Sequence, residues 1–437
     1  MQSIYLNLGC PVHPRQGFFN IDLEAAHADY QLDPGAALPW ERGTVPGIYS
    51  AHLLERLNRN QGIRLLLECR RVLQPGGVLR LVTSDLQALV DDYVADRVHP
   101  ETPGIGRGER LNRALRQHAW TWDRDDLTRV CKMVGLVPVD GIAAGHSSDA
   151  NLGGLESAAA GQLVLELRKP QRQLAADAEP LVSIVMPTYR TEHLHQALES
   201  ALNQTYRNIE VLVCDDCPSD AIETIVADYA RFDPRLRYVR NPDAGKDIGR
   251  LNHVLCMQQA RGEYIKFLND DDLLDIECVE RLLGTFRDYP DITLATSKRQ
   301  RIDGFGAPLA DIPATQAPVA ADSMIEGLSM GTALMLSQLN FIGEPSTVMF
   351  RRDDMIDVTP DFMSVDQQPI AWASDVAIFL NLALRGNTVY LVRPLSSFRI
   401  HGEQTQVVFG AAAQGESRRC WGIMKDFWTR HEFDKPL

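Results

Sequence analysis

Three consecutive carboxylates stand at the end of an apolar run. In GEYIKFLNDDDLL, residues 262–274, the run stops at Asp270, Asp271 and Asp272. Like charges this close repel and raise one another's pKa, so three of them at a strand end usually have a compensating cation, for which a divalent metal ion is the natural candidate. Taken alone, the trio also fits a solvated turn or a helix N-terminus, where carboxylates offset the helix dipole.

Two more polar groups follow predicted strands of the same half. The apolar segment 182–186 precedes residues 187–190, PTYR, and the segment 209–213 runs into Asp215 and Asp216. Ligand sites in open α/β sheets lie at the carboxyl ends of the strands. We therefore expect these residues and the acidic trio to converge on one edge of one sheet.

The chain alternates short β-branched runs with amphipathic helical patterns on both sides of a polar, Ala-rich segment at 170–180. Such alternation is typical of parallel sheets wrapped by helices. We predict an α/β protein with two doubly wound domains, 1–169 and 181–405, joined by a linker at 170–180. A helical tail is predicted for 406–437, for docking or a homo-oligomer contact. The weakly periodic stretch 300–341 is predicted to be a mobile loop that orders over bound donor.

Composition excludes several classes of protein. With 437 residues, a net charge of -14 and no Lys/Arg-rich tract, the chain is not expected to bind nucleic acid. Eight scattered cysteines do not resemble a disulfide framework. No apolar run approaches the length of a transmembrane segment, so we expect no transmembrane segment and a cytoplasmic protein.

In the C-terminal half, the successive segments VSIVMPTYR, ALNQTYRNIEVLVCDD and GEYIKFLNDDD resemble family 2 glycosyltransferases of the GT-A fold. The resemblance covers residues 181–405. It implies an inverting transferase that uses a nucleotide-diphosphate sugar, with UDP, dTDP or GDP as carrier, and a Mn²⁺ or Mg²⁺ ion. The acceptor it implies is a hydroxyl group of a bacterial surface glycan or glycoprotein such as flagellin.

The resemblance also implies roles for individual residues. On the donor side, it assigns nucleotide-sugar contacts to Pro187, Thr188, Tyr189, Asp216, Asp270 and Arg399. The implied metal ligands are Asp271, Asp272 and His401. Asn269 stands where the family's Asp-x-Asp pattern begins, which is a departure from that pattern.

The acceptor side follows later in the chain. The segment ASDVAIF, 373–379, resembles the family's Glu-Asp motif with Ser374 in place of Glu, and it implies Asp375 as the catalytic base. An alcohol is a poor nucleophile until a carboxylate within hydrogen-bond reach takes its proton. The segment IGEPSTVMFRR implies acceptor contacts from Gly343, Glu344 and Ser346.

The N-terminal half resembles class I S-adenosylmethionine-dependent methyltransferases, with a Rossmann-like fold, over residues 3–169. The segment IYLNLGCPVHPRQGFFNIDL resembles a glycine-rich loop followed by an acidic strand end, and it implies Gly9 and Asp22 as S-adenosylmethionine contacts. A Pro-Gly-Gly turn follows at residues 75–77. Pro11 and Arg56 depart from the family pattern. Further pocket candidates are His52, Glu55, His118 and Trp120.

We expect a glycosyltransferase whose N-terminal domain methylates, binds the cofactor without turnover, or is purely structural. Two alternatives remain open for the whole chain. It could be an S-adenosylmethionine-dependent sugar methyltransferase whose C-terminal half recruits substrate, or a non-catalytic scaffold that binds a nucleotide sugar.

Overall fold

The computed structural model describes residues 4–9, 14–24, 26, 28–34, 36–97, 104–156, 159–171, 174–175, 177–242, 249–402 and 405–435, with the backbone alone over 405–413. The chain divides into two compact units, Met1–Arg172 with Lys435–Leu437, and Gln173–Asp434. This division falls inside the segment predicted to be a linker. Among the described residues, no helix combines the length and the apolar character needed to cross a membrane.

The N-terminal unit is a seven-stranded sheet with helices. Its strands are β1 (Tyr5–Leu8), β2 (Phe18–Asp22), β3 (Tyr30–Gln31), β4 (Val45–Ala51), β5 (Leu73–Ser84), β6 (Val137–Pro138) and β7 (Gln162–Arg168). Its helices are α1 (Arg59–Val72), α2 (Leu86–Val94), α3 (Arg107–Arg116) and α4 (Arg124–Met133).

The strand order of this sheet is β3-β2-β1-β4-β5-β7-β6. The first five strands pair in parallel, and β7 pairs antiparallel with both β5 and β6. The order 3-2-1-4-5 is that of doubly wound nucleotide-binding sheets, in which the chain reverses direction between β1 and β4. The carboxyl ends of β1 and β4 therefore flank the crevice where such sheets bind ligands.

The C-terminal unit contains the larger sheet. The strands of this sheet are β8 (Val182–Thr188), β9 (Ile209–Asp215), β10 (Leu236–Arg240), β11 (Tyr264–Phe267), β12 (Leu273–Leu274), β13 (Ile292–Asp303), β14 (Ser323–Ile325), β15 (Met349–Arg351) and β18 (Asn387–Ile400). Two further strands, β16 (Ser364–Val365) and β17 (Gln368–Pro369), pair with each other in a separate two-stranded sheet. The helices of this unit are α5 (Leu194–Leu202), α6 (Ala221–Ala230), α7 (Arg250–Gln259), α8 (Cys278–Asp288), α9 (Gly327–Ser337), α10 (Ser374–Arg385) and α11 (Thr405–Arg430).

This sheet is doubly wound only in part. The strands β10, β9, β8 and β11 are parallel neighbours in that order, so the chain reverses direction between β8 and β11. Beyond β11 the sheet is mixed, because β15 pairs antiparallel with both β11 and β13 while β18 runs parallel to β13. Every residue of β8 and β9 is buried, as expected for parallel strands covered on both faces. The prediction of a fully doubly wound C-terminal domain is therefore right for its first half alone.

The stretch 300–341 differs from its sequence-based description. It was predicted to be a mobile loop, and it contains the end of β13, the strand β14 and the helix α9. The segment 406–437, predicted to be a helical tail, corresponds to helix α11, which belongs to the C-terminal unit and packs against α9. Its Trp428 is fully buried and donates a hydrogen bond from Nε1 to Thr332 Oγ1 at 3.0 Å. The two regions therefore stabilise each other through the packing of α11 on α9.

Candidate active site

A cleft opens at the carboxyl ends of β8, β9 and β11, beside the point where the chain reverses direction. Its volume is about 300 Å³. The side chains that line it come from all three strand ends and from the start of α10. The lining residues named in the sequence-based predictions are Pro187, Thr188, Tyr189, Asp216, Asp270, Asp271, Glu344 and Asp375. The predicted convergence of the strand ends on one edge is confirmed.

The loop after β8 forms one wall of the cleft. Tyr189 is about half exposed, and the Arg190 guanidinium lies 5.7 Å from the centre of its ring. The Thr188 hydroxyl donates to the Met186 carbonyl at 3.0 Å, and the Thr188 carbonyl accepts from the Asp216 backbone N–H at 2.8 Å. Asp216, after β9, accepts a hydrogen bond from Asn241 Nδ2 at 2.9 Å. This wall presents an aromatic ring, a cation and a fixed carboxylate.

Two members of the acidic trio face the cleft. Asp270 Oδ2 accepts hydrogen bonds from the backbone N–H groups of Tyr189 and Arg190, both at 2.7 Å. Burial, reinforced by the neighbouring Asp271 charge, raises the pKa of Asp270 to about 6. Asp271 Oδ2 lies 2.9 Å from His401 Nε2. A carboxylate whose ionised form is destabilised, as that of Asp270 is, favours a bound cation.

The third member turns away from the cleft. Asp272 is fully buried, and its oxygens accept from Ser346 Oγ at 2.6 Å, the Arg399 backbone N–H at 3.1 Å and Asn269 Nδ2 at 3.2 Å. It is absent from the cleft lining. These contacts lie within the fold and do not support the predicted role of Asp272 as a metal ligand, which stays a prediction.

The residues around Asp271 fit a divalent ion. Glu192, His193 and His401 have ligand atoms within 4.8 Å of one another. Two buried imidazole nitrogens, His193 Nε2 and His401 Nδ1, have no hydrogen-bond partner among the described residues. Buried polar atoms are normally satisfied, so these two atoms and the raised pKa of Asp270 together indicate a place for a cation. Imidazole and carboxylate ligands suit Mn²⁺ better than Mg²⁺.

Asp375 begins α10 at the other side of the cleft. The residue before the helix, Ala373, has a φ of +55°, a conformation that is strained for a residue with a Cβ and that clusters at functional sites. Asn340 Nδ2 donates to Asp375 Oδ2 at 2.6 Å. Burial, and then the nearby Glu344 charge, raise the pKa of Asp375 to about 7. A carboxylate with such a pKa can accept a proton near neutral pH.

The three predicted acceptor residues differ in their surroundings. Glu344 lines the cleft and pairs with Arg299 Nε at 2.7 Å. Gly343 has a φ of +125°, and a Cβ there would lie 2.6 Å from the Thr347 side chain, so its glycine is required by the fold. Ser346 is buried under Asp272. Its burial does not support the predicted acceptor contact, which stays a prediction.

Arg399 is also used within the fold. Its fully buried side chain donates to the Asp271 carbonyl at 2.8 Å, to the Gly304 carbonyl at 3.1 Å and to Gln196 Oε1 at 2.6 Å. The guanidinium does not line the cleft. The predicted contact with the donor is therefore not supported. Arg399 instead fixes the backbone of Asp271 and so the direction of that carboxylate.

Several lining residues were not identified from the sequence. Arg190 was named only as part of a segment, although it carries the positive charge of the cleft wall. The others that the sequence analysis did not single out are Gly249, Asn252, His253, Pro345, Met363, Ala371, Trp372 and Phe398. Arg190 could have been found from its position directly after the strand end, whereas Trp372 and Phe398 reach the cleft only through long-range packing.

The N-terminal unit has its own strand-end acids, and they are already paired. Gly9 ends β1 with a φ of +87°, and a Cβ there would lie 2.1 Å from the Ala51 carbonyl oxygen, so the fold itself requires glycine. Both oxygens of the buried Asp22 accept from Arg56 Nη1, at 3.0 and 2.9 Å. A ribose would have to displace Arg56 to reach this carboxylate. Pro11 lies outside the described residues.

A second polar cluster lies at the ends of β4 and β5. The buried Glu55 carboxylate contacts His52 Nδ1 at 2.8 Å and accepts from Thr83 Oγ1 at 2.5 Å and from Ser84 Oγ at 3.1 Å. These hydrogen bonds lower the pKa of Glu55 to about 2 despite its burial, and Glu55 raises the pKa of His52. His118 Nε2 joins the cluster 3.3 Å from Ser84 Oγ. Trp120 is about two-fifths exposed beside it.

Comparison with known proteins identifies one family. Residues 183–358 match the model of glycosyl transferase family 2. Chondroitin synthase from Escherichia coli is 34% identical over 128 residues, which cover 29% of this chain and 18% of that protein. An uncharacterized glycosyltransferase from Haemophilus influenzae is 34% identical over 111 residues, 24% of this chain and 42% of its own length. The chain thus spans less than half the length of these two relatives.

Two further similarities extend over more of the chain. The uncharacterized protein MT1568 of Mycobacterium tuberculosis is 30% identical over 230 residues, covering 50% of this chain and 67% of that protein. Among solved structures, S. aureus TarS 1-349 in complex with UDP superposes with a TM-score of 0.42 at 16% identity, over 56% of this chain and 65% of that one. Because residues 183–358 match the family model, this segment of the present chain is a glycosyl transferase family 2 domain.

Proposed function

We propose that the C-terminal unit transfers a sugar from a nucleoside diphosphate donor to a hydroxyl acceptor, with inversion at the sugar carbon. The observation that carries the proposal is the position of Asp375, across the cleft from Asp270 and Asp271 and with a pKa raised to about 7. One side of the cleft is suited to hold a cation and a leaving diphosphate. The other side is suited to accept a proton.

The donor is held by the wall after β8 and β9. The Tyr189 ring can stack on the nucleobase. The Asp216 carboxylate, held by its hydrogen bond from Asn241, can accept hydrogen bonds from N–H groups of the nucleobase. The Arg190 side chain has no ion-pair partner within the described part of the chain and lies beside the acidic pair, where it can contact the diphosphate. UDP, GDP and dTDP all offer these groups.

Asp271 and His401, with His193 and Glu192 behind them, are the residues we propose for a Mn²⁺ or Mg²⁺ ion. When bound, such an ion neutralises the negative charge that develops on the departing diphosphate. The fold holds Asp271 in place, because the Arg399 side chain donates a hydrogen bond to the Asp271 carbonyl and Asp272 accepts one from the Arg399 backbone N–H. Asp272 thereby acts as a positioning residue.

Asp375 takes the proton of the acceptor hydroxyl as its oxygen attacks the sugar carbon. The new carbon–oxygen bond forms as the bond to the diphosphate breaks, so the proton ends on Asp375 and the electron pair leaves with the diphosphate. A single displacement of this kind inverts the configuration. Asn340 orients the carboxylate, and Glu344 keeps its pKa high enough for proton transfer near neutral pH. We propose a surface glycan or glycoprotein, such as flagellin, as the acceptor.

For the N-terminal unit we propose a methyltransferase-like fold, and we propose no methyl-transfer reaction. The sheet order and Gly9 support the fold. The Asp22–Arg56 pair does not fit a bound ribose as it stands. Calorimetric titration of the full chain with S-adenosylmethionine tests this point: micromolar binding would show that Arg56 gives way, and would favour the alternative of a sugar methyltransferase.

The proposed function is tested by donor turnover. The full chain is incubated with UDP-, GDP- and dTDP-sugars and Mn²⁺, and release of the nucleoside diphosphate is measured with and without a glycan acceptor. We expect turnover with one carrier and its loss in Asp375→Asn. Tight binding of a nucleotide sugar with no turnover in any combination would overturn the proposal in favour of a binding scaffold. A cytoplasmic location and a homo-oligomeric state stay predictions.

A further inference from the structure

A second cavity adjoins the donor cleft on the far side of Asp375. Its volume is about 780 Å³, against about 300 Å³ for the donor cleft. The two share five lining residues, Glu344, Trp372, Ala373, Asp375 and Phe398. The carboxylate proposed as the base thus stands at the junction of two cavities. A hydroxyl that approaches it from the larger one reaches the donor without crossing the donor's own site.

The far wall of this cavity is helix α11, which lies outside the matched family segment. The stripe that faces the cavity has helical spacing and consists of Gln414, Ser417, Arg418 and Trp421. The next turns anchor the helix, because Met424, Phe427 and Trp428 are buried to 98% or more. The Trp428 ring occupies the place where a Cβ on Gly331 would lie, at 2.3 Å. The wall is therefore held rigidly.

Two side chains of this stripe have no hydrogen-bond or ion-pair partner within the described part of the chain. Arg418 and Trp421 form no hydrogen bond or ion pair with any residue that the structure describes. The other cation of the cavity, Arg299, is already paired with Glu344 at 2.7 Å. Arg418 is thus the uncompensated positive charge of the cavity, in a chain whose net charge is -14. A guanidinium recognises carboxylate and phosphate groups through paired hydrogen bonds.

The cavity also offers aromatic faces. Trp421 on α11, Trp372 before α10 and Phe398 on β18 are all partly exposed lining residues. Aromatic rings beside a few polar groups are typical of sites that bind amphipathic small molecules, and sugar rings present apolar C–H faces edged with hydroxyl groups. A saccharide chain carrying a negative charge matches both the rings and Arg418.

We propose that this cavity binds the acceptor, and that the acceptor is an anionic saccharide whose carboxylate or phosphate group is recognised by Arg418 while a sugar ring stacks on Trp421. The inference rests on the proposed function and extends it by naming the substrate class and the element that selects it. Helix α11 is then the element that determines acceptor specificity, whereas the residues of the donor cleft carry out the transfer.

The test uses matched pairs of oligosaccharides and measures binding to the full chain without donor. One pair is mannopentaose phosphate and mannopentaose; the other is a chondroitin hexasaccharide and its carboxyl-reduced form. We expect at least one charged probe to bind about 10- to 100-fold more tightly than its neutral counterpart, the range for a hydrogen-bonded charge pair. The pair that shows the difference identifies phosphate or carboxylate as the recognised group.

Two variants and a control make the result specific. Arg418→Gln should remove the preference for the charged probe, and Trp421→Ala should weaken both members of the pair. Arg419→Gln, one position along the helix and paired with Glu416 at 2.6 Å, should bind as the unmodified protein does. Equal affinity within both pairs, no binding of either charged probe at millimolar concentration, or an unchanged preference in Arg418→Gln would overturn the inference. Because no donor is present, these results are independent of donor turnover, which tests the proposed function.

Discussion

The two units place acidic side chains at equivalent edges of their sheets and use them differently. In the C-terminal unit, Asp270 and Asp375 border an open cleft, and burial raises their pKa values to about 6 and about 7. In the N-terminal unit, Glu55 is enclosed by hydrogen-bond donors that lower its pKa to about 2, and Asp22 is paired with Arg56. The same residue type at the same topological place is destabilised in one unit and satisfied in the other.

This difference separates carboxylates that await a ligand from those that hold the fold. A carboxylate whose ionised form is disfavoured gains free energy from a cation or an acquired proton, so it is suited to chemistry. A carboxylate with all its acceptor positions occupied gains nothing from a ligand and loses stability when a partner is removed. Substitution of a carboxylate that borders the cleft should therefore affect activity, whereas substitution of a carboxylate enclosed by hydrogen-bond donors should affect stability.

The largest effect is expected for Asp375→Asn. The amide cannot accept the acceptor's proton but keeps the shape of the carboxyl group, so the transfer rate should fall by about 10²- to 10⁴-fold while donor affinity stays near normal. Single-turnover rates and calorimetric titration of the nucleotide measure the two quantities. Asp353→Asn, an exposed residue outside the cleft lining, serves as the control. A transfer rate within threefold of the unmodified protein would remove Asp375 from the mechanism.

A smaller effect is expected for Asp271→Asn, which keeps the side-chain volume and removes the charge beside His401. Binding of Mn²⁺, followed by electron paramagnetic resonance, should weaken by about 10- to 100-fold or more, and metal-dependent nucleotide binding should weaken with it. Asp272→Asn should reduce thermal stability instead, because its oxygens satisfy Ser346 and the Arg399 backbone. Equal metal affinity in Asp271→Asn and the unmodified protein would contradict the distinction drawn here between Asp271 and Asp272.

The pH dependence of transfer should report on Asp375. Its carboxyl is the active base only when ionised, so the rate should fall about tenfold per pH unit below pH 7, since the pKa is raised to about 7. Glu344→Gln removes the neighbouring like charge, so it should lower the pKa of Asp375 and move the acidic limb of the pH–rate profile to lower pH. The rate profile is measured at saturating donor from pH 5 to 9. A limb that stays in place in Glu344→Gln would show that another group controls it.

The sequence predicted the strand ends well and the use of their side chains only in part. Residues 187–190, Asp216, Asp270 and Asp271 follow buried strands, and strand position is a local property that apolar runs reveal. The contacts of Asp272 are not local, because Ser346 lies 74 residues and Arg399 127 residues further along the chain. The identity of the trio could be read from the sequence, but the direction of each carboxylate could not.

Helices α9 and α11 also depend on contacts between segments that are distant in the sequence. The buried residues of α11, among them Met424, Phe427 and Trp428, have helical spacing, but the surface that receives Trp428 is formed by Gly331 and Thr332 of α9. Neither segment alone shows the partner that it needs. In the N-terminal unit, likewise, Arg56 was visible as a departure from the family pattern, but its pairing with Asp22 across 34 residues became evident only in the structure.

The smallest effect, and a test of the other half of the comparison, is expected for Glu55→Gln. The amide cannot accept from all three partners, so local stability at the end of β5 should fall by about 1–3 kcal/mol, as for a lost buried acceptor.

The loss of stability should depend on pH. Glu55 has its pKa lowered to about 2, so it stabilises the folded state above the pKa of the unfolded chain, and this stabilisation is lost as pH falls toward 2. The pKa of His52 is raised, so protonated His52 stabilises the folded state below about pH 6.5, and this stabilisation is lost as pH rises through the pKa that His52 has in the folded protein. The difference between the two proteins should therefore be largest near pH 5.5, measured by hydrogen exchange of peptides that contain Ser84, with the exposed Glu41→Gln as the control. Unchanged exchange together with a loss of sugar transfer would reverse the comparison, since Glu55 would then belong to a catalytic site.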